Sequence, residues 1–304
     1  LIEPEVNFMN IAKGLGALSL LLSTMVPSAN ALAQEHGTTQ WIVTTAKATG
    51  HDGEQYESVL RVLNLSPYDA PLRLTFFPQT SLNASRSAFG DPSAASTVDV
   101  VIPAGLKVAF WDALGLFGRT AGAGAIRIVS TGTDPQGNPI PVSASSMTKT
   151  YPAGPESYAP VTGPLIAAQG PDTLVGAGEP AAIPFLWLGG DDLNGAYRSN
   201  IFLASANTDS QTVVRLTLVT NGNVAQESRE ITLGPLTQTQ INNVFFYFDF
   251  VSFCPPCPSV DMGPEEVRVD VSVLSGGPVA VGAAVIDELN GTSVYVPAVK
   301  RATP

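Results

Sequence analysis

The residues best suited to chemistry are few. His36 and His51 are the two histidines of the chain. A hydrolase of the Ser-His-Asp kind would have to work through His51, and no Gly-x-Ser-x-Gly elbow accompanies it. Ser146-Met147-Thr148-Lys149 has the Ser-x-x-Lys spacing that brings an amine to a hydroxyl on a helical turn. Its surroundings read as a strand, however, and there residues three apart point to opposite faces. The spacing is thus expected to be a coincidence. Histidine and cysteine never cluster as a zinc site requires.

Oxygen ligands are a different matter. Asp52 in Gly50-His51-Asp52-Gly53-Glu54, and Asp191, Asp192 and Asn194 in Gly190-Asp191-Asp192-Leu193-Asn194-Gly195, occupy equivalent loops before matched strands. Such oxygens suit Ca²⁺, which takes about six to eight of them. Asp-Gly and Asn-Gly are equally ordinary turn formers, so no cofactor is expected and Ca²⁺ stands as the alternative. Cys254-Pro255-Pro256-Cys257 is the one cysteine pair. No βαβ pattern surrounds it and Pro258 replaces the histidine of a haem site, so a local disulfide pinning a loop is expected. Beside it runs Phe245-Phe246-Tyr247-Phe248-Asp249-Phe250-Val251-Ser252-Phe253. Alternation would bury half of these rings; Phe246, Phe248, Phe250 and Phe253 are the candidates for a contact surface.

The compartment follows from the N-terminus. Met9 to Lys13 is a short basic head, Gly14 to Val26 is apolar and uncharged, and Ser28-Ala29-Asn30-Ala31-Leu32-Ala33 offers small residues for a signal peptidase. Residues 9–33 read as a signal peptide with Gln34 as the mature start, and residues 1–8 as upstream or fragment-edge sequence. The apolar run is shorter than the roughly 20 residues that span a bilayer, so no transmembrane segment is expected after cleavage. The reading places the product in the periplasm, at the cell surface or outside the cell.

Charged residues make up 13% of the chain and the net charge is −11, or −10 once Glu3, Glu5 and Lys13 are removed. Such a field repels phosphate backbones, which argues against nucleic acid as a partner. The high apolar fraction argues against disorder, and abundant Gly and Pro suit β-structure with many turns.

The chain repeats itself. Tyr56-Glu57-Ser58-Val59-Leu60 matches Tyr197-Arg198-Ser199-Asn200-Ile201, Leu72 to Phe76 matches Val214 to Leu218, and Ile126-Arg127-Ile128 matches Val267-Arg268-Val269. The expected architecture is all-β: two tandem antiparallel β-sandwich domains of immunoglobulin-like type, at 34–151 and 183–304, with a Pro/Gly/Ala-rich linker at 152–182. Val267 to Val273 alternates strictly, as does Leu72 to Phe76, so each strand has one buried face. Val98 to Ile102 and Leu106 to Phe110 read as strands around Pro103-Ala104-Gly105, and Ile231 to Leu233 with Leu236 to Ile241 repeat them around Gly234-Pro235. Asp112 is expected to cap one helical turn, with Asn243 as its counterpart.

These shared features, Tyr-x-Ser strands, a Pro-Gly or Gly-Pro turn, an Asp or Asn before a Phe-rich segment and an Ile-Arg-Ile type strand, resemble exported bacterial tandem β-sandwich repeat proteins of unassigned role. The second copy departs from the pattern in having Ser205 where the first has Asn64. The resemblance implies no catalytic residues. The functional expectation is an exported, non-catalytic structural or interaction protein that meets a protein partner or itself, or a polysaccharide. A carbohydrate- or Ca²⁺-binding module is the alternative, and a secreted hydrolase the second alternative.

Overall fold

Period-two patterning becomes strand throughout. The computed structural model describes residues 36–49, 53–80, 95–151, 160–186, 197–220, 224–248, 267–287 and 293–301. The first repeat holds β1 (Thr39–Thr49), β2 (Gln55–Leu63), β3 (Ala70–Thr80), β4 (Ser96–Ile102), β5 (Lys107–Phe110), β6 (Gly122–Ser130), β7 (Ser143–Tyr151) and β8 (Val161–Ala167). The second holds β9 (Ala181–Ile183), β10 (Tyr197–Ser205), β11 (Thr212–Thr220), β12 (Val224–Leu233), β13 (Gln238–Ile241), β14 (Val267–Ser275), β15 (Val279–Asp287) and β16 (Ser293–Pro297), followed by β17 (Val299–Lys300). Both expected helical turns are present: a 3₁₀ turn at Gly115–Phe117 and α1 at Val244–Tyr247.

Most pairings recur in the two repeats; the exceptions are β1 with β2, which has no counterpart in the second repeat, and β17 with β9. β2 pairs β5 and β7, β3 pairs β4 and β6, β6 pairs β1, and β7 pairs β8. Likewise β10 pairs β13 and β15, β11 pairs β12 and β14, β14 pairs β9, and β15 pairs β16. The Pro-Gly and Gly-Pro turns are therefore not hairpins. Each carries the chain from one layer to the other, since β4 bonds β3 while β5 bonds β2. At the turn, Gly105 has φ 69° and its counterpart Leu236 has φ 48°; their amides donate to the equivalent carbonyls of Ser66 and Asn207.

Side-chain chemistry follows the repeat. Arg73 pairs with Asp99 across β3–β4 and Arg215 with Glu230 across β11–β12, each next to a hydroxyl pair, Thr75 with Thr97 and Thr217 with Ser228. One sequence match needs correction. Ile126 lies opposite Phe76, and the residue in that place in the second repeat, opposite Leu218, is Val269 rather than Val267. A two-residue slip keeps every side chain on its own face, so alternation alone cannot detect it.

Asn64 also has a physical reason to be asparagine. Its amide donates to the carbonyls of Tyr68 and Ile102 while its Oδ1 accepts from Ser66 N–H. Ser205 Oγ accepts from Asn207 N–H at 3.3 Å and shares a hydrogen bond with Thr212 Oγ1, but it has no amide to reach the carbonyls that Asn64 serves. The helical turns diverge similarly. Asp112 Oδ1 accepts from Gly115 N–H at 2.7 Å and so holds the first residue of the 3₁₀ turn, although the N-cap position itself is Leu114, without a side-chain cap. Asn243 instead adopts φ 52° and its Oδ1 is buried without a partner, so it is no side-chain cap.

Each repeat encloses its own apolar core: Ile42, Leu60, Leu72, Leu74, Ile126 and Ile128 among others in the first, Ile201, Leu203, Leu216, Leu218, Val269 and Val271 in the second. Hydrogen bonding also runs between them. β13 pairs β3 in parallel, Gln238 beside Gln79 and Thr239 beside Thr80, which makes one path of β16-β15-β10-β13-β3-β6-β1-β2-β7-β8; β12-β11-β14-β9-β17 forms the second sheet. A third apolar cluster lies between the repeats, with Trp41, Val43, Ala125 and Ile166 meeting Phe202, Ala204, Ala280, Ala284 and Tyr295.

The stretch expected as a linker contributes to this seam. Its described part carries β8, β9 and Gln169, whose backbone bonds Trp41 in both directions. The Gln169 side chain reads the backbone of β15: Nε2 donates to Val281 C=O at 2.7 Å and to Tyr295 Oη at 3.1 Å, while Oε1 accepts from Val281 N–H. Gly282 permits this arrangement, because a Cβ there would lie 2.6 Å from Tyr295 ring carbons. Burial pushes the Tyr295 phenol above its ordinary pKa. Glu35–Pro304 accordingly forms one compact unit.

Candidate contact face of the first repeat

The seam joins two different faces. The first repeat contributes the outer side of β1 and β6, and the second contributes the outer side of β10, β13 and β15. The outer side of β5, β2 and β7, which is the first repeat's own version of the face that the second repeat buries, carries exposed Lys107 and Trp111 and half-buried Arg61, Leu63 and Lys149 around buried Val59, Ser143 and Ser145.

Residue by residue the two versions have opposite character. Pairing aligns Arg61 with Phe202, Lys107 with Gln238 and Lys149 with Ile286. Phe202 and Gln238 are buried in the seam and Ile286 packs against it. Arg61, Lys107 and Lys149 have no carboxylate partner among the described residues, in a chain whose net charge is −11. Between them stands Trp111, 61% exposed, where the second repeat has Asn242.

Trp111 is held by its neighbours in the chain. Phe110 ahead of it packs into the core, and the Asp112–Gly115 bond with Ala113 N–H on Ser58 C=O fixes the turn behind it. Lys149 lies on the same face because it is paired with Glu57, and its Nζ sits 4.5 Å from the indole centroid. Lys47 completes the surround, bonded to Asp112 and 3.8 Å from Glu57; the Asp112 carboxylate holds its ammonium above the usual lysine range. The face therefore presents a stacking ring, cationic donors and carboxylate acceptors together.

Most sequence candidates fall elsewhere. Asp52, Asp191, Asp192, Asn194, Cys254, Cys257, Phe250 and Phe253 lie outside the described residues, as does His51. Phe246 falls on α1, and Phe248 is buried in the second repeat's core with Phe245, so it presents no contact surface. Ser146 is buried on the core side of β7 and Lys149 is on the outer side, as a strand requires. His36 is exposed. Among the described residues no group of three or more His, Cys, Asp or Glu could hold a metal ion, and no helix is long and apolar enough to cross a membrane. The sequence does not single out Trp111, since a lone tryptophan after a strand is as well suited to a core as to a surface. The signal that finds it is the column comparison with the polar Asn242.

The chain matches no protein-family model, and no curated protein matches it in sequence.

Proposed function

We propose that this is an exported, non-catalytic interaction protein made of two tandem immunoglobulin-like sandwiches, in which the second repeat braces the first and the β5–β2–β7 face of the first makes contact. The observation that carries the reading is the contrast at equivalent positions. Apolar residues and a pinning glutamine close the face in one repeat, while the other presents an exposed tryptophan and three cations with no carboxylate partner among the described residues. Exposed aromatics ringed by polar groups are typical of recognition surfaces. The acidic chain and the signal-like N-terminus support a role outside the cytoplasm and away from nucleic acid.

Two measurements test it. The full chain expressed in a bacterium should be recovered outside the cytoplasm beginning at or near Gln34; Met9 retained on a cytoplasmic product contradicts export. For the face, Trp111→Ala and wild type are compared for adsorption to whole cell envelopes. Equal adsorption of the two contradicts a contact role for Trp111.

A further inference from the structure

We propose that the β5–β2–β7 face binds an acidic polysaccharide, with Trp111 stacking on a sugar ring and Lys149, Arg61 and Lys107 meeting its carboxylates. This rests on the contact reading of that face and names its ligand class.

Spacing argues for a polymer. Lys149 lies opposite Glu57, Arg61 is four residues farther along β2, and Lys107 lies opposite Leu63, two residues beyond Arg61. At the rise of a strand the three cations span roughly 20 Å, more than a single small anion can bridge. The path runs along the outer face of β5, β2 and β7.

Chemistry argues for sugar. A phosphate chain needs donors alone, whereas a sugar also offers hydroxyl donors that want acceptors. Glu57 and Asp112 supply carboxylate oxygens beside Trp111, next to the ammonium groups of Lys47 and Lys149. An indole presents an apolar plane to the C–H face of a pyranose at little entropic cost. The surplus of cations over carboxylates on this face selects an acidic chain, against the negative field of the rest of the protein.

A second copy of this chain fits worse. Head-to-tail addition would repeat the internal seam, using the second repeat's outer β9–β14 face as the plug. That face has Ala182 in the place of Trp41, Arg268 in the place of Ala125 and exposed Val299 in the place of Gln169. Arg268 and Arg301 share Asp270 there, so it would bring guanidinium groups to a face already cationic.

The test uses polygalacturonate as the probe, with its fully methyl-esterified form, polyglutamate and a single-stranded oligonucleotide beside it, each titrated calorimetrically into the full chain. Polygalacturonate is expected to bind and to weaken as salt rises; Trp111→Ala and the double variant Arg61→Gln, Lys149→Gln are each expected to weaken it at least tenfold with unchanged circular dichroism. The methyl ester is expected to bind at least tenfold more weakly than the acid. Polyglutamate or the oligonucleotide binding as tightly, in a way Trp111→Ala abolishes, overturns the sugar assignment and leaves the face a contact surface. No binding of polygalacturonate, or binding that neither variant alters, overturns the proposal outright.

Discussion

The two repeats share most of their strand pairings, the β1–β2 pair of the first excepted, and differ most where they meet each other and the solvent. On the outer side of β10 and β15, Phe202, Ala204, Ala280 and Ala284 are buried against the first repeat. On the equivalent side of β2 and β7 stand half-buried Arg61, Leu63 and Met147, with Lys149 beyond them and Val59 and Ser143 buried among them. The inner faces of the two repeats are thus under one constraint, while the outer face closes a seam in one repeat and, on the proposal above, meets a ligand in the other. The inner constraint is packing, where loss of one large side chain costs about 2–5 kcal/mol. The outer one is set by whatever covers the face.

Exchanging residues between the copies breaks this comparison most strongly. Phe202→Arg would place a charge in the apolar seam and is expected to destabilise by about 3–5 kcal/mol, whereas the reciprocal Arg61→Phe should change stability by no more than about 0.5 kcal/mol. Urea unfolding of both variants checks it; equal effects would mean that the two faces are equally buried.

The next largest effect belongs to Gln169. Its truncation to alanine leaves Val281 N–H unpaired inside the seam and its C=O with only the 3.3 Å bond from Ala298 N–H, and is expected to cost about 1–3 kcal/mol. Scanning calorimetry should show one transition for the wild type and a separation into two for Gln169→Ala, because the pin couples the repeats rather than building either core. A single sharp transition in the variant would place the coupling elsewhere, at the β3–β13 seam.

Tyr295 sharpens the same point through pH. Burial holds its phenol neutral, so its pKa is raised in the folded chain above the value of about 10 in the unfolded one. Its contribution to stability is therefore whole below pH 10 and declines as pH rises beyond it. Stability measured by urea titration should fall more steeply above pH 10 in the wild type than in Tyr295→Phe; equal slopes would mean that water reaches the ring.

The smallest contrast is in the turns. Gly105→Leu imports the second repeat's residue at a left-handed position and is expected to cost about 1 kcal/mol, read as a modest shift in the urea midpoint. No shift would show that the turn relaxes to accommodate a side chain.

Much of this was legible in the sequence, and the reasons are physical. The all-β class, the repeat and most strand positions follow from strict alternation in runs such as Val267 to Val273, and Asp112 announces its turn as a side chain that bonds a backbone N–H. Layer switching at Pro103-Ala104-Gly105 was hidden, because a tight Pro-Gly turn looks the same whether the strands it joins pair with each other or not. The slip at Ile126 was hidden because a shift of two preserves the faces. The stretch expected as a linker misled through composition: Gly163 and Pro164 sit in β8 at the sheet's rim, where proline is tolerated and a Cβ at 163 would crowd Thr148 C=O. As for the contact face, Arg61 aligns with Phe202 at the offset the first anchor already gives, so one column of the repeat carried the signal. Lys149 and Ile286 become partners only once strand pairing is known.

The account stands on the outer face of one repeat being open while its twin is covered. Hydroxyl-radical footprinting of the full chain, read by mass spectrometry, tests that directly. Trp111 should oxidise rapidly in the folded protein, while Trp41, Phe202 and Tyr295 stay protected until the chain unfolds. Labelling of Trp41, Phe202 and Tyr295 as fast as Trp111 would mean that the repeats do not close on each other, and the contrast between their faces would fall.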